Sequence, residues 1–303
     1  MTKNKLISSL GEFGLINSFS SRIKNDSSVL VGPGDDCAVI KWDKAKLLLF
    51  SCDMIIEGVD FLARDKPELI GRKALGVSIS DIAACSGVPK YAVVSIGLPR
   101  KSKLEKAKRI FNGLNSIARE YSINIVGGDL SDSDRLVIDT SILGFVEKRR
   151  LVLRSGAKPG DVIFVSGALG ALGSGKHFKF IPRVEEARYL TARFDISAMI
   201  DISDGLVQDL KHITDRSSVG ALVYYSKIPL ARGVKDARRA LASGEEFELL
   251  FSLPKKQAAK LIMERKYKFT PIGEVVDKKK GLKLIGPSGR EMDICRFSGY
   301  RHF

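Results

Sequence analysis

Cysteines and long apolar runs are scarce in this 303-residue chain, and each scarcity excludes a class of protein. No Cys-x-x-Cys pair occurs, which argues against a zinc ribbon and, at this length, against a disulfide framework. The four cysteines are Cys37, Cys52, Cys85 and Cys295. No apolar stretch reaches 18 residues, and no apolar signal core follows the basic first residues, so we expect a cytosolic protein without a membrane span.

Acidic residues are outnumbered, 35 against 50 lysines and arginines, which gives a net charge of +15. Such an excess is compatible with nucleic-acid binding. However, the basic runs Lys148-Arg149-Arg150 and Lys278-Lys279-Lys280 fall in predicted connections, without the interleaved aromatic residues that a single-strand binder uses. We therefore expect no nucleic-acid partner and interpret the charge as favouring solubility or attracting nucleotide phosphates.

The length and the loop chemistry predict two domains, residues 1–147 and residues 148–303. Apolar periodicity predicts strands at 46–50, 91–97, 123–126, 136–146, 162–165, 221–225, 247–253 and 282–285, and helices at 67–85, 104–121, 184–194, 205–214 and 255–265. Both halves mix strands with helices. We expect two α+β lobes with an acidic cleft between them.

Acidic residues recur where apolar runs begin or end, and this is the most informative pattern in the chain. The motifs are Gly34-Asp35-Asp36, Ser51-Cys52-Asp53, Ser80-Asp81, Gly127-Gly128-Asp129 and Asp201-Ile202-Ser203-Asp204. Any one of them could cap a helix or close a turn. Five in Gly and Ser settings favour a shared function.

Carboxylates beside apolar strands or helices are partly desolvated, which is costly without a partner. Two of them about 4 Å apart repel by about 4 kcal/mol at an effective dielectric of 20. Almost no basic residue stands next to these motifs, so divalent cations are the expected counter-charge. Mg²⁺ binds carboxylates together with substrate phosphates, and the pattern therefore indicates an enzyme that handles polyphosphates.

A second phosphate motif is present in the second half. Residues 170–176 fit G-x-x-x-x-G-K and follow the predicted strand at 162–165, which is close to a P-loop. The next residue is His177 where Ser or Thr should hold Mg²⁺, and several residues separate the motif from its strand. We expect an ordinary glycine-containing loop, with Lys176 dispensable for activity.

Taken in order, the acidic motifs resemble the thiamine-monophosphate kinase family, part of the superfamily of aminoimidazole ribonucleotide synthetase. The motifs that carry this resemblance are spread over nearly the whole sequence. They are Gly32-Pro33-Gly34-Asp35-Asp36, residues 51–61, Lys73-Ala74-Leu75 through Ser80-Asp81-Ile82-Ala83-Ala84, Gly127-Gly128-Asp129, Arg154-Ser155-Gly156-Ala157, residues 200–206, residues 244–249 and the closing Gly299-Tyr300-Arg301-His302-Phe303. Eight motifs in order are far more specific than one.

The resemblance implies an α+β fold of two domains: an N-terminal domain with a mixed sheet that pairs with its copy in a homodimer, and a C-terminal α/β domain that completes the site. It implies phosphorylation of thiamine monophosphate by ATP to thiamine diphosphate, assisted by several Mg²⁺ ions. The acceptor phosphate is already ionised near neutral pH, so no general base is required, and none of the three histidines is assigned as a catalyst. His212 and His302 are interpreted as structural.

The resemblance also implies roles for individual residues. Mg²⁺ would be held by Asp36, Ser51, Cys52 (through its backbone carbonyl), Asp53, Asp81, Asp129, Asp201 and Asp204. The catalytic residues would be Asp129, Arg154 and Asp204. ATP would contact Gly128, Asp129, Arg154, Ser203 and, near the adenine, Phe111. The acceptor would contact Asp60, Glu245 and Tyr300.

Three departures from the family pattern lie on the acceptor side. Asp60 stands where the family usually has His, Cys52 replaces Thr, and Phe247 replaces Tyr. An anion at Asp60 would repel a substrate phosphate but suit a cationic thiazolium. These changes keep open an alternative, a related enzyme of the superfamily that uses ATP on a different acceptor.

Overall fold

The computed structural model describes residue 9, residues 11–171 and residues 175–297. In these ranges the helices are α1 Gly11–Ser20, α2 Pro67–Ala84, α3 Leu104–Glu120, α4 Lys176–Lys179, α5 Val184–Arg193, α6 Leu206–Ser217, α7 Ala237–Ala242 and α8 Lys255–Ile262. The strands are β1 Val29–Val31, β2 Ala38–Lys41, β3 Lys46–Ile56, β4 Val88–Leu98, β5 Asn124–Asp132, β6 Val137–Glu147, β7 Asp161–Val165, β8 Ala198–Asp201, β9 Gly220–Tyr224, β10 Leu249–Pro254, β11 Thr270–Val276, β12 Leu282–Ile285 and β13 Glu291–Asp293. None of the helices in these ranges has the length and apolar character needed to cross a bilayer.

The strands form two mixed sheets. The first has the order β1-β2-β3-β6-β4-β5 and is antiparallel except for the β4–β5 pair. The second has the order β13-β12-β9-β11-β7-β10-β8 and is antiparallel except for the β12–β9 pair. The first sheet thus ends at Glu147 and the second begins at Asp161. The expected two-domain α+β fold is confirmed.

The first sheet is covered on one face. Leu47, Leu49 and Ile55 alternate along β3 toward the buried core beneath α2, and α3 packs on α2. Side chains on the opposite face remain exposed, including Phe50 (43%), Met54 (56%) and Val93 (41%). We call this second surface the open face.

The second sheet is covered on both faces. Along β10, Leu250 belongs to the core beside α6 and α7, whereas Leu249 and Phe251 belong to the core beside α5 and α8. Helix α5 also reaches the first sheet, because Arg188 donates to both carboxylate oxygens of Glu147 at 2.7 and 2.8 Å. The two halves therefore meet through α2, α4 and α5.

Candidate active site

Carboxylates from three different elements meet at the C-terminal half of α2. Asp36 precedes β2, Asp81 lies on α2 and Asp201 ends β8, and their oxygens lie within 4.8 Å of one another. Asp36 and Asp201 are buried and Asp81 is half-buried. We call these three residues the acidic cluster.

Serine hydroxyls orient the cluster and its neighbour Asp53. The Ser51 hydroxyl donates to Asp81, and the Ser80 hydroxyl donates to Asp201 at 2.6 Å. The Ser78 hydroxyl donates to Asp53 at 2.8 Å. Since hydroxyls bring no positive charge, these contacts fix the geometry of the carboxylates without neutralising them.

The carboxyl groups of the cluster resist ionisation. Burial, and then the charges of Asp53 and Asp201, raise the pKa of Asp81 well above its ordinary value. Burial and the neighbouring Asp36 raise the pKa of Asp201 to about 7. Burial likewise raises the pKa of Asp53. Such a site gains free energy by binding protons or, at neutral pH, cations.

Arg154 is the cation beside the cluster. Its Nη2 donates to Asp36 Oδ1 at 2.7 Å, and its backbone N–H donates to Asp35 Oδ2 at 3.1 Å. In the described part of the chain, Asp36 Oδ2 and Arg154 Nε are buried with no hydrogen-bond partner. Unpaired buried polar atoms are costly, so a buried acceptor and a buried donor left free together suit a site that binds a cation and an anion.

A second group of metal-ligating side chains continues from the cluster. Side-chain atoms of Asp204, Asp209 and His212 lie within 4.8 Å of one another. The Asp209 carboxylate accepts the backbone N–H of Gly205 at 3.0 Å, ahead of α6. Burial and Arg154 lower the pKa of His212 to about 4, so this imidazole is neutral. Sequence reasoning missed Asp209, although its position in the first turn after Asp204 was a usable signal.

The structure thus brings together Asp36, Ser51, Asp53, Asp81, Asp201 and Arg154 among the residues named from the sequence. Ser203 and Asp204 follow on the loop after β8, and both are half-buried. The individual roles assigned to them stay predictions.

Asp129 and the Cys52 side chain lie on the open face instead. The register aligns Met54, Asp139, Ser95 and Asp129 in one row across β3, β6, β4 and β5, while Asp53 points to the helix side. Three strand spacings of about 4.8 Å separate Asp129 from β3. Asp129 is exposed and belongs to none of the metal-ligand groups found in the described ranges.

Gly128 has a packing requirement of its own, because an added Cβ would lie 1.8 Å from the Val94 carbonyl oxygen. Phe111 is exposed on α3, at 49%. The structure therefore assigns no ATP contact to either residue, and both contacts stay predictions.

The acceptor-side residues centre on Lys73, which stands in one of the quoted sequence motifs but was given no role there. Lys73 Nζ, on α2, donates to the Asp60 carbonyl oxygen at 2.6 Å and to the Glu245 carboxylate. The Asp60 carboxylate accepts the backbone N–H of Ile56 at 2.7 Å, closing the turn after β3. Tyr300 lies outside the described residues.

The P-loop-like segment already holds an anion from within the chain. The backbone N–H groups of Gly170 and Ala171 donate to Glu246 Oε1 at 2.7 and 2.8 Å. Lys176 Nζ lies 3.0 Å from Glu246 and 3.1 Å from Glu248. These contacts occupy the groups that would bind phosphate in a P-loop, and residues 172–174 of the motif lie outside the described ranges.

Family models match both halves of the chain. Residues 34–146 match the N-terminal domain of AIR synthase related proteins, and residues 175–284 match the C-terminal domain. A thiamine-monophosphate kinase of Buchnera aphidicola subsp. Schizaphis graminum is 35% identical over 324 aligned positions, covering 96% of this chain and 98% of the relative. The Bacillus subtilis thiamine-monophosphate kinase is 33% identical, covering 97% and 100%.

A solved structure supports the same relationship. AaThiL complexed with AMPPCP and TMP superimposes with a TM-score of 0.87 at 30% identity, covering all of both chains. Sequence and structure agree over nearly the full length. The chain therefore belongs to the thiamine-monophosphate kinase family, built from the two AIR synthase related domains.

Proposed function

We propose that this protein transfers the terminal phosphate of ATP to the phosphate of thiamine monophosphate, giving thiamine diphosphate and ADP. The relatives' names and the ligands of the solved neighbour support this reaction. The observation that carries the proposal is the buried pair of free polar atoms, Asp36 Oδ2 and Arg154 Nε. Transfer between two anions needs a cation and a phosphate-binding donor at one place, and this pair supplies a ligand for the first and a donor for the second.

The donor set fits Mg²⁺, since it consists of carboxylate and hydroxyl oxygens whose charge no side chain fully neutralises. We propose that several Mg²⁺ ions are held by Asp36, Ser51, Asp53, Asp81, Asp201 and Asp204. Asp129 and the Cys52 carbonyl remain candidate ligands on the same proposal. Bound Mg²⁺ would neutralise phosphate oxygens as negative charge moves between them.

The chain's own residues bind and orient the reactants. Arg154 is anchored by Asp36 and Asp35, which leaves its Nε free to donate to a phosphate oxygen. Asp36 holds the pKa of Arg154 above its ordinary value despite the burial that opposes it, so the guanidinium stays charged. The other proposed ATP contacts are Gly128, Asp129, Ser203 and Phe111. The acceptor phosphate needs no protein base, because its oxygens are already ionised.

We propose that the open face pairs with a second copy of the chain. Phe50, Met54, Tyr91 and Val93 are all at least 39% exposed there, and no helix among the described residues covers them. Large apolar side chains exposed together on one face of a sheet favour an interaction surface. We also propose the domain boundary between residues 147 and 148. Cytosolic location and the lack of a nucleic-acid partner stay predictions from the sequence.

The reaction is tested by following thiamine diphosphate formation from thiamine monophosphate, ATP and Mg²⁺, with thiamine as the control acceptor. We expect product only when Mg²⁺ and the monophosphate are both present. ATP binding without product would contradict the proposed acceptor and favour a related enzyme of the superfamily, the alternative that Asp60 keeps open.

A further inference from the structure

Two of the four cysteines meet beside the acidic cluster. Cys37 directly follows Asp36 ahead of β2, and Cys85 directly follows α2, four residues after Asp81. Both side chains are buried, and the two thiols hydrogen-bond to each other. The fold therefore brings a pair of sulfur atoms, about 50 residues apart in the chain, to the edge of the proposed magnesium site.

Two carboxylates complete a group of potential metal ligands around Cys85. The Cys85 Sγ and one carboxylate oxygen each of Asp35 and Asp36 lie within 4.8 Å of one another. Asp36 and Cys85 are buried, whereas Asp35 is half-buried and gives the group its contact with solvent. We call these three residues the thiol site. One sulfur and two oxygens at such distances can bind a single cation together.

Backbone hydrogen bonds hold the thiol site in place. The Asp35 carboxylate accepts the backbone N–H of Asp36 and that of Arg154, each at 3.1 Å. The Cys85 N–H donates to the Asp81 carbonyl oxygen at 3.2 Å, which ties Cys85 to the last turn of α2. Partners of this kind orient metal ligands before the ion arrives, so binding requires little rearrangement of the chain.

One oxygen of the thiol site has no partner of its own. Arg154 Nη2 donates to Asp36 Oδ1 at 2.7 Å, whereas Asp36 Oδ2 is buried without a hydrogen bond among the described residues. The Asp36 side chain is 0% exposed. Because a buried acceptor left unpaired is costly, a cation held between Asp36 and the Cys85 sulfur would satisfy this oxygen.

The thiol site and the acidic cluster suit different metals. The cluster consists of carboxylates alone, and Mg²⁺ takes oxygen ligands. The thiol site adds sulfur, which selects thiophilic cations such as Zn²⁺. Asp36 belongs to both groups, and Arg154 already occupies its Oδ1. The two metals therefore compete for the one oxygen of Asp36 that remains free.

We propose that Cys85, Asp36 and Asp35 bind a thiophilic divalent cation such as Zn²⁺, and that this ion inhibits the protein by displacing Mg²⁺ from Asp36. The thiolate is the metal ligand, so binding releases the Cys85 thiol proton to solvent. Cys37 is a positioning residue that donates its S–H to the Cys85 sulfur. Metal binding is independent of the proposed function, whereas inhibition of the kinase rests on it.

The direct test titrates Cd²⁺, a spectroscopic substitute for Zn²⁺, into the freshly reduced protein without Mg²⁺. Wild type should develop the ultraviolet charge-transfer band of a bond between thiolate and Cd²⁺, saturating at a single tight site. Cys85→Ala should lose this band, and Cys37→Ala should weaken Cd²⁺ binding about 10- to 100-fold, the range for losing a residue that orients a ligand. The matched controls Cys52→Ala and Cys295→Ala remove exposed thiols and should keep the band.

Competition with Mg²⁺ is tested through the product assay. With both substrates and excess Mg²⁺ present, low concentrations of Zn²⁺ should inhibit thiamine diphosphate formation by wild type, and more Mg²⁺ should relieve the inhibition. Cys85→Ala should keep the wild-type kcat in Mg²⁺ alone and should need at least about tenfold more Zn²⁺ for half-inhibition. Cys295→Ala should be inhibited like wild type.

The absence of a Cd²⁺ band in wild type, or an equal band in Cys85→Ala, overturns the thiol site. Binding that depends on Cys85 but leaves turnover unaffected overturns the displacement of Mg²⁺. A wild-type protein that binds Cd²⁺ yet makes no thiamine diphosphate overturns the proposed function and leaves the thiol site intact. Melting temperatures identify folding defects, and Asp35→Asn, which keeps both thiols, should weaken Cd²⁺ binding about tenfold and decides the test if Cys85→Ala is unstable.

Discussion

Two groups of carboxylates in this protein each contain two almost fully buried members but differ in what surrounds them. Asp36 and Asp201 of the acidic cluster are 6% and 2% exposed, and Glu246 and Glu248 of the P-loop-like region are 1% and 2% exposed. Burial alone therefore does not distinguish the two groups.

Their partners do. Glu248 accepts hydrogen bonds from Arg183 at 2.8 and 2.9 Å, from Lys176 at 3.1 Å and from the Ser166 hydroxyl at 2.8 Å. Although burial opposes it, these cations hold the pKa of Glu248 below its ordinary value. In the acidic cluster the donors are mostly hydroxyls, and the pKa values rise instead.

The contrast separates structural carboxylates from those that we propose bind metal. Glu246 and Glu248 are matched by cations of the chain, whereas the acidic cluster has Arg154 beside several carboxylates and can bind a further cation from solution. The glycine motif at 170–176 belongs to the first kind, although its sequence resembles a phosphate site.

The largest expected effect comes from removing one charge of the acidic cluster. Asp81→Asn should lower kcat for thiamine diphosphate formation about 10²- to 10³-fold, a loss typical of removing one electrostatic contact to the transferring group. The same change should raise the melting temperature of the metal-free protein, because it relieves repulsion. A fall in both activity and stability would contradict the comparison.

The matched change in the paired group is Glu248→Gln. Leaving Arg183 and Lys176 short of one buried anion should cost about 3–5 kcal/mol of unfolding free energy, or on the order of 10 °C in melting temperature. Below that temperature kcat should stay within about threefold of wild type, since a paired structural carboxylate adds nothing to transition-state charge. Calorimetry and the product assay together measure both effects, and a selective loss of kcat would place Glu248 in the active site.

Lowering the pH should stabilise the acidic cluster and destabilise the paired carboxylates, because the pKa of Asp201 is raised and that of Glu248 is lowered. The raised pKa of Asp201, about 7, means that its contribution to stability is complete below the unfolded value of about 3.9 and is lost as pH rises through about 7. In EDTA, the melting temperature should therefore fall by a few degrees between pH 5.5 and pH 8, an order of magnitude set by a single carboxyl shift. Mg²⁺ should reverse that fall, and a fall of the same size in Asp201→Asn would argue against Asp201 as its cause.

Lys176→Ala separates a structural lysine from a P-loop lysine. Because Lys176 pairs with Glu246 and Glu248, we expect a melting temperature lower by roughly 2–6 °C and a KM for ATP within about twofold of wild type. A selective rise in the KM for ATP would restore the P-loop interpretation.

The smallest effect concerns the ion pair between α5 and β6. The hydrogen bonds from Arg188 lower the pKa of Glu147 to about 2, so the pair stabilises the protein above the unfolded value of about 4.3 and loses its effect as pH falls through about 2. Arg188→Ala should lower the melting temperature by roughly 2 °C at pH 7 and by less at pH 3.5. An equal loss at both values would indicate packing rather than charge.

Much of the first domain could be predicted because its signals are local. The apolar period and Pro67 predicted α2 to within one residue of its end at Ala84. Strand β3 was predicted to end at residue 50 but continues to Ile56, since Ser51 and Asp53 face the helices while Cys52 and Met54 face outward. Polar residues on alternate faces were mistaken for the end of a strand.

Other elements were missed for physical reasons. Strand β11 lies between β9 and β7 although Pro271 and Gly273 disfavour a central strand, and a register shift at these residues accommodates them. The pairing of Lys73 with Glu245 joins residues 172 positions apart, and no local spacing reports such a contact. The acidic cluster was predictable only because each of its members carried its own motif.

The central claim is that the acidic cluster, and not the paired carboxylates, binds divalent cations. It is tested most directly by titrating Mn²⁺ into wild type, Asp81→Asn and Glu248→Gln with a non-hydrolysable ATP analogue, and counting bound ions by electron paramagnetic resonance. We predict fewer or weaker bound ions in Asp81→Asn and wild-type binding in Glu248→Gln. Unchanged binding in Asp81→Asn would contradict the account.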